Sequence, residues 1–108
     1  HFPKDGQFNL CEDNNFKNPL STLSYLILPA KKIILINWLQ TFKQNVGYGR
    51  MTLKLFEIYA KERHPSIKTA ELYSIDSAIE FYKKCGWQPT PCGEIAGLRK
   101  FTKTLQRR

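Results

Sequence analysis

Apolar and polar positions follow two periods along the chain, one typical of strands and one typical of helices. Short, mostly apolar runs of strand length predict strands over residues 21–28, 32–42, 68–74 and 98–105. Apolar positions spaced three to four residues apart predict helices over residues 48–63 and 76–85. The resulting order, β-β-α-β-α-β, is that of an α/β domain with a mixed sheet.

Turn-forming residues separate these elements and predict two loops. Residues 1–20 are rich in Asn, Asp, Pro and Gly, so we expect a loop-rich N-terminal segment ahead of a single domain over residues 21–108. Residues 88–97 contain two prolines and two glycines and are also predicted to form a loop. Gly86 is placed to end the second helix.

The first predicted helix has a charged side and an apolar side. The charged side is expected to carry Lys54, Glu57 and Lys61. The apolar side, expected to face the core, carries Leu55, Ile58 and Tyr59.

The composition argues against several classes of protein. The chain has 108 residues, enough for one domain with a core of its own. No apolar run approaches the roughly 18 residues of a membrane helix, and no secretory signal pattern is visible, so we expect no membrane partner. Cys11, Cys85 and Cys92 are odd in number and lack metal-ligand spacing. We therefore expect reduced thiols, no metal site and a cytoplasmic location.

The charge is strongly positive and concentrated at the C-terminal end. The formal net charge is +8, and the last twelve residues contain five Lys or Arg and no acid. A basic surface attracts polyanions, which include both coenzyme A and nucleic acid. A solvated basic tail is the simpler alternative. No helix-turn-helix, RNP or zinc-finger pattern supports nucleic-acid binding.

The segment between the second strand and the first helix is suited to anion binding. It reads Gln44-Asn45-Val46-Gly47-Tyr48-Gly49-Arg50. A helix N-terminus carries unpaired N–H groups and partial positive charge, and glycines let a backbone approach an anion closely, which together make a phosphate site. A tight turn is the alternative interpretation. The segment lacks the Lys-Ser/Thr of a Walker loop and the third Gly of a dinucleotide fingerprint.

A second motif lies one helix and one strand further along the chain, and the two motifs together resemble a known family. Gln44-x-x-Gly47-x-Gly49 is similar to the Q/R-x-x-G-x-G/A loop of the GNAT acetyltransferase superfamily. The second motif resembles that family's A-I-x-F-Y-x-K-x-G-F signature and reads Ala78-Ile79-x-Phe81-Tyr82-x-Lys84-x-Gly86-Trp87. The resemblance covers about residues 33–105.

The resemblance implies an N-acetyltransferase that transfers acetyl from acetyl-CoA to an amine by direct attack in a ternary complex. It implies a GNAT-like sheet with a central splayed strand pair, in which the strand end pairs with the pantetheine arm like an added strand. The residues implied at that strand end are Asn37, Trp38 and Leu39. Those implied around the pyrophosphate are Gln44, Asn45, Val46, Gly47, Tyr48, Gly49 and Arg50. Tyr82 matches the tyrosine that protonates the departing thiolate; a half-buried helix tyrosine is the alternative.

The chain departs from the family pattern in three places. The cofactor-binding Asn before the second motif is replaced by Ile75, so Ser74 or Asp76 would take over its contact. Thr41 stands where many members carry Pro. Family domains also have a further strand and two helices before the part that corresponds to Ser21. A compact member, a fragment and a homodimer that completes its site are the three alternatives for this difference.

The general base is the least determined part of the site. The strand over residues 32–42 contains no carboxylate and no His. Glu71 is the candidate base, with an exposed strand residue as the alternative and a water chain as a substitute. His64, before Pro65, is interpreted as a surface residue, and Cys85 is too far along its helix to act as a nucleophile.

Two other functions compete with the transferase hypothesis. One is a GNAT-like module that binds acyl-CoA without turnover, and the other is a basic nucleic-acid-binding domain. The acceptor of a transferase would be a small molecule, a peptide or another amine, and the sequence does not distinguish among these.

Overall fold

Six strands and two α-helices form the fold of the computed structural model, which describes residues 4–12, 17–43 and 46–105. The elements are β1 (Lys4–Leu10), β2 (Ser21–Leu28), β3 (Ile33–Thr41), α1 (Tyr48–Arg63), β4 (Thr69–Ser74), α2 (Ile79–Lys84), β5 (Gln88–Ile95) and β6 (Leu98–Thr104). Short 3-10 turns over Pro29–Lys31 and Asp76–Ala78 precede β3 and α2. The predicted α/β class with a mixed sheet is confirmed, and the bounds of α1 are those that the sequence predicts.

All six strands belong to one sheet, in the order β1-β2-β3-β4-β6-β5. Every neighbouring pair is antiparallel except β3 and β4, which are parallel. Parallel neighbours need a long crossover connection, and α1 supplies it here.

Two predicted loops are strands, and both strands lie at edges of the sheet. The predicted loop over residues 1–20 is wrong over Lys4–Leu10, which form β1. The predicted loop over residues 88–97 is wrong over Gln88–Ile95, which form β5. An edge strand has hydrogen-bonding groups with no strand to pair with, so it tolerates prolines such as Pro89 and needs few apolar residues. β5 turns into β6 through Ala96 and Gly97, both with positive φ, as a two-residue hairpin turn requires.

Both helices cover the same face of the sheet. Leu53, Phe56 and Ala60 of α1 are buried against it. Ile79 and Tyr82 of α2 pack at the border of the same core. The largest fully buried side chains of the sheet and its connections are Leu23, Ile34, Leu72, Trp87 and Phe101.

The predicted inward face of α1 is wrong for two residues. Leu55 and Ile58 are exposed, whereas Glu57 is buried. The buried row instead runs through Gly49, Leu53, Phe56 and Ala60, where small residues at both ends let the helix lie close to the sheet. The burial of Glu57 is tolerated because Lys103 on β6 lies 2.8 Å from its carboxylate.

Candidate functional site

The central parallel strands separate part-way along their length. β3 and β4 pair only where residues Ile33–Ile36 meet Thr69–Leu72. Beyond Ile36, β3 continues to Thr41 paired with β2 alone, while Tyr73 and Ser74 of β4 stay paired with β6. A gap therefore opens between the two strands, and in the described chain no strand pairs with the β4-facing edge of β3 over residues 37–40.

A β-bulge at Asn37 determines which face of the sheet the following side chains of β3 occupy. Ser24 pairs with Trp38 and Tyr25 with Ile36, so Asn37 is an extra residue on β3. Successive side chains of a strand point to opposite faces of the sheet, and the bulge shifts this alternation by one residue along β3. Leu39 joins the helix-covered face, opposite Leu23, whereas Trp38 aligns with Ser24 on the other face and is exposed.

The N-terminus of α1 lies beside the gap. Gly47 holds the N-cap position with a φ of 84°, and no side chain of the described residues caps the helix. The first helical hydrogen bond runs from Met51 to the carbonyl of Gly47 at 3.0 Å, so the amides of Tyr48, Gly49 and Arg50 precede it. Such a helix end carries partial positive charge.

Three cationic side chains surround the cavity at this helix end. The cavity has a volume of about 310 Å³ and is lined by Thr41, Lys43, Gly47, Tyr48, Gly49, Arg50, Phe81, Lys84 and Cys85. The three cations are Lys43, Arg50 and Lys84. Together with the helix end they make this cavity suited to bind a phosphate group.

A second cavity lies next to this one, close to Gly49. A Cβ atom on Gly49 would lie 3.2 Å from Phe81 Cζ and from Thr41 Cγ2, so this position favours glycine. The second cavity, of about 400 Å³, is lined by Leu39, Gln40, Thr41, Ala78, Phe81 and Tyr82. Because Thr41 and Phe81 line both cavities, the two are adjacent, and together they are called the cleft, which extends from the start of α1 to Tyr82.

Tyr82 closes the far end of the cleft as a potential proton donor. Its ring lies edge-on to Phe81, with centroids 5.1 Å apart, and 5.8 Å from the ring of Phe101. Burial, and to a lesser degree the charge of Cys85, raises the pKa of the Tyr82 phenol above its usual value. The phenol therefore keeps its proton throughout the neutral range and has it available to donate.

The structure brings together only some of the predicted site residues. Leu39, Gly47, Tyr48, Gly49, Arg50 and Tyr82 line the cleft. Trp38, Asn37 and Val46 are exposed, and Gln44 and Asn45 lie outside the described residues.

Ser74 and Asp76, the two candidates to replace the missing Asn, have different surroundings. Ser74 is buried, and its hydroxyl donates a hydrogen bond to the carbonyl of Ile75 at 2.8 Å. Asp76 is exposed in the turn before α2. Neither lines the two cavities of the cleft.

Glu71 lies on the opposite face of the sheet from Tyr82. It alternates with the buried residues Ala70 and Leu72, and Lys100 lies 3.4 Å from its carboxylate. Among the described residues that line the cleft, none is Asp, Glu or His.

Sequence reasoning missed several residues that line the cleft. Thr41 was noted only as a departure from a family pattern, and Lys43, Phe81 and Lys84 had no assigned role. Phe81 and Lys84 are three residues apart and so share one side of α2, a spacing that is visible in the sequence. The contact between this side of α2 and Gly49 depends on the tertiary fold.

Within residues 4–12, 17–43 and 46–105, no group of three or more His, Cys, Asp or Glu side chains is arranged to hold a metal ion. In the same ranges no helix combines the length and the apolar character that a bilayer span requires.

Comparison with solved structures identifies the architecture. The chain superposes on Tetrahymena GCN5 with a TM-score of 0.77 at 13% identity, over 94% of this chain and 69% of that one. A GNAT-family acetyltransferase from Staphylococcus aureus Mu50 gives a TM-score of 0.68 at 21% identity, over 86% and 64%. The chain has the GNAT fold.

A third structure carries the cofactor itself. The PaiA N-acetyltransferase from Thermoplasma acidophilum, solved in complex with coenzyme A, matches with a TM-score of 0.69 at 15% identity over 83% of this chain. The chain spans 56% to 69% of the length of these three proteins. No protein-family model and no curated protein matches the sequence. At these identities the likeness establishes the GNAT fold, and with it the predicted splayed strand pair.

Proposed function

We propose that this chain binds acetyl-CoA and transfers its acetyl group to an amine. The observation that carries the proposal is the cleft of two adjacent cavities, which extends from the N-terminus of α1 to Tyr82 beside the gap between β3 and β4. Coenzyme A is long and has phosphates at one end and a thiol at the other. The cleft likewise has cationic side chains at one end and the proton donor Tyr82 at the other.

The phosphates would lie at the start of α1. The amides of Tyr48, Gly49 and Arg50 point toward any anion placed there, and the side chains of Lys43, Arg50 and Lys84 supply charge. The residues present therefore fit a pyrophosphate.

The pantetheine arm would lie along β3 beyond Ile36. Its amides can pair with the β3 backbone over residues 37–40, on the side from which β4 has separated. Leu39 and Phe81 would contact the arm along its length.

Tyr82 would act as the general acid. As the amine nitrogen forms its bond to the thioester carbonyl carbon, the C–S bond breaks and the leaving sulfur takes the phenol proton of Tyr82. The attacking amine must lose a proton in the same reaction, and this proton passes to a base or to water.

Glu71 is the proposed base, reached from the other face of the sheet. An acceptor that enters the gap from that face would place its nitrogen between Glu71 and the thioester. The ammonium group of Lys100 lies 3.4 Å from the Glu71 carboxylate and forms an ion pair with it. A water molecule between Glu71 and the amine would serve the same purpose.

The described residues that line the cleft include no carboxylate and no His, which favours a second candidate function. A GNAT-fold module that binds acyl-CoA without turnover needs the phosphate and pantetheine contacts but no base. The acceptor amine, the homodimer and the cytoplasmic location stay predictions.

Release of coenzyme A thiol from acetyl-CoA, followed over a panel of polyamines and of peptides with free N-terminal or lysine amines, tests the proposal. We expect turnover with at least one acceptor, reduced about tenfold or more in Glu71→Gln. Glu94→Gln is the matched control, because Glu94 forms an exposed ion pair with Arg99. Binding of acetyl-CoA with no turnover across the panel would support the non-catalytic module instead.

A further inference from the structure

The outer side of α1 carries two parallel rows of exposed or partly exposed residues. At 100° per residue, Arg50, Lys54 and Lys61 fall in one basic row. Met51, Leu55 and Ile58 fall in an adjacent apolar row, with exposed fractions of 48%, 40% and 46%. Single exposed apolar residues are common, but three in one helical row make a contiguous patch.

A groove runs beside the basic row, between α1 and β6. It has a volume of about 340 Å³, and its apolar lining includes Leu53 and Ile58. Its charged lining consists of Arg50, Lys54, Glu57, Lys61 and Lys103. Lys103 and Glu57 neutralise each other at 2.8 Å, whereas no ion pair within the described residues involves the three cations of the basic row.

We infer that these two rows and the groove form a docking surface for an acidic amphipathic helix of a partner protein. Carboxylates of such a helix would face Arg50, Lys54 and Lys61, and its apolar side chains would cover Met51, Leu55 and Ile58. The basic row extends over twelve residues, from Arg50 to Lys61, a rise of about 16 Å, which matches a partner helix of three turns.

The charge and the apolar row argue against other occupants. A second copy would bring a like basic row to the interface, because a two-fold contact places the same surface on both sides. Nucleic acid would match the basic row but would leave the apolar row against phosphates and sugars. An acidic protein helix satisfies both rows.

The inference does not depend on the proposed transferase activity. The apolar row lies outside the residues that line the cleft, and of the basic row only Arg50 is shared with it. Variants at Lys54, Leu55, Ile58 and Lys61 can therefore be made while the cleft is left intact.

The test uses a synthetic amphipathic peptide of about 15 residues, with Leu on one side and Glu beside it, titrated against the protein by fluorescence anisotropy. A matched peptide has every Glu replaced by Gln. We expect the acidic peptide to bind and the Gln peptide to bind about tenfold more weakly or worse. Chemical-shift changes on binding should centre on α1.

Protein variants separate the two rows. The double variant Leu55→Ser/Ile58→Ser and the double variant Lys54→Gln/Lys61→Gln should each weaken binding about tenfold, the second with a reduced salt dependence. Lys68→Gln is the control, since Lys68 is an exposed lysine outside α1. Thermal unfolding of each variant shows whether it is folded.

Three results would overturn the inference. The first is no binding of the acidic peptide to the folded protein. The second is binding that Leu55→Ser/Ile58→Ser leaves unchanged. The third is tighter binding of a single-stranded RNA or of vesicles with anionic lipid, weakened by the same variants, which would assign the surface to a nucleic acid or to a membrane.

Discussion

The ammonium group of Lys103 on β6 lies 2.8 Å from a carboxylate oxygen of Glu57 in the middle of α1. The same ammonium donates a hydrogen bond to the carbonyl of Cys85, at the end of α2, over 3.1 Å. One side chain thus ties the two helices that form the cleft to the sheet beneath them.

Loss of this lysine should destabilise the fold. In Lys103→Met the buried Glu57 carboxylate loses its partner, and we expect unfolding free energy to fall by about 2 kcal/mol, because an unpaired buried charge is costly and Lys103 is partly exposed. Lys83→Met is the control: its exposed pair with Glu80, at 3.6 Å, should contribute less than about 0.5 kcal/mol. Urea unfolding measures the stability of both variants. Equal losses of unfolding free energy would show that the Lys103–Glu57 pair contributes no more than the exposed Lys83–Glu80 pair.

Gly47 and Gly97 provide a matched pair of variants for the phosphate end of the cleft. Both have positive φ, 84° and 78°, and neither has an atom within 4 Å of an added Cβ. Replacement of either by Ala should cost about 1–2 kcal/mol of stability through backbone strain alone.

Replacement of the same glycines by Glu should distinguish the effect of backbone strain from the effect of a negative charge on acetyl-CoA binding. We expect Gly47→Glu to abolish acetyl-CoA binding, because it places a bulky anion at the start of α1, whereas Gly97→Glu should leave affinity unchanged. Unchanged affinity in Gly47→Glu would mean that the segment is only a turn.

Tyr82→Phe should lower turnover by about a hundredfold and leave acetyl-CoA affinity unchanged, since only the proton donor is removed. Tyr59→Phe is the control, because Tyr59 packs on Phe8 and Phe56, away from the residues that line the cleft. Steady-state kinetics over a range of pH measures the effect. Equal turnover of Tyr82→Phe and the unsubstituted protein at every pH would remove Tyr82 from the mechanism.

Tyr82 should also affect stability at alkaline pH. Because burial raises the folded-state pKa of its phenol, the stabilising contribution is complete below the unfolded-state pKa of about 10 and is lost as the pH rises through the folded-state pKa. Tyr82→Phe should therefore show a smaller loss of stability between about pH 9 and 11 than the unsubstituted protein. Urea unfolding at several pH values in this range tests this prediction. The same change of unfolding free energy with pH in both proteins would contradict it.

His64 should affect stability on the acid side. Burial, and then the positive charges of Lys4 and Arg63, lower the pKa of its imidazole. The folded state therefore favours neutral His64, whose contribution is complete above the unfolded-state pKa of about 6.5 and is lost as the pH falls toward the folded-state pKa. His64→Gln should lose less stability than the unsubstituted protein between about pH 7 and pH 5. Urea unfolding at several pH values measures this loss, and a larger loss of stability in His64→Gln than in the unsubstituted protein would contradict the prediction.

The sequence carries enough information to predict the central elements of the fold. The bounds of α1 follow from Gly47 before it and from His64 and Pro65 after it, and strands β2 and β3 follow from their apolar runs. The edge strands β1 and β5 could not be predicted in this way. Their residues are stabilised by pairing with a neighbour rather than by burial, and Pro89 and Gly93 are the residues that usually mark loops.

The buried face of α1 and the lining of the cleft needed the tertiary structure. α1 carries two apolar rows, and hydrophobicity does not reveal that Phe56 is buried while Leu55 is exposed. Thr41 and Phe81 are forty residues apart in the sequence, and both lie close to Gly49, where the lack of a side chain leaves room for them. The two GNAT motifs indicated which segments form the cleft, but not which side chains line it.

Calorimetric titration of the folded protein with acetyl-CoA, with adenosine diphosphate as the control ligand, tests the central claim most directly. We expect micromolar binding of acetyl-CoA and much weaker binding of adenosine diphosphate, because in the proposed complex the phosphates lie near Arg50 and the pantetheine arm extends toward Tyr82. No binding of acetyl-CoA to a folded sample would contradict the account.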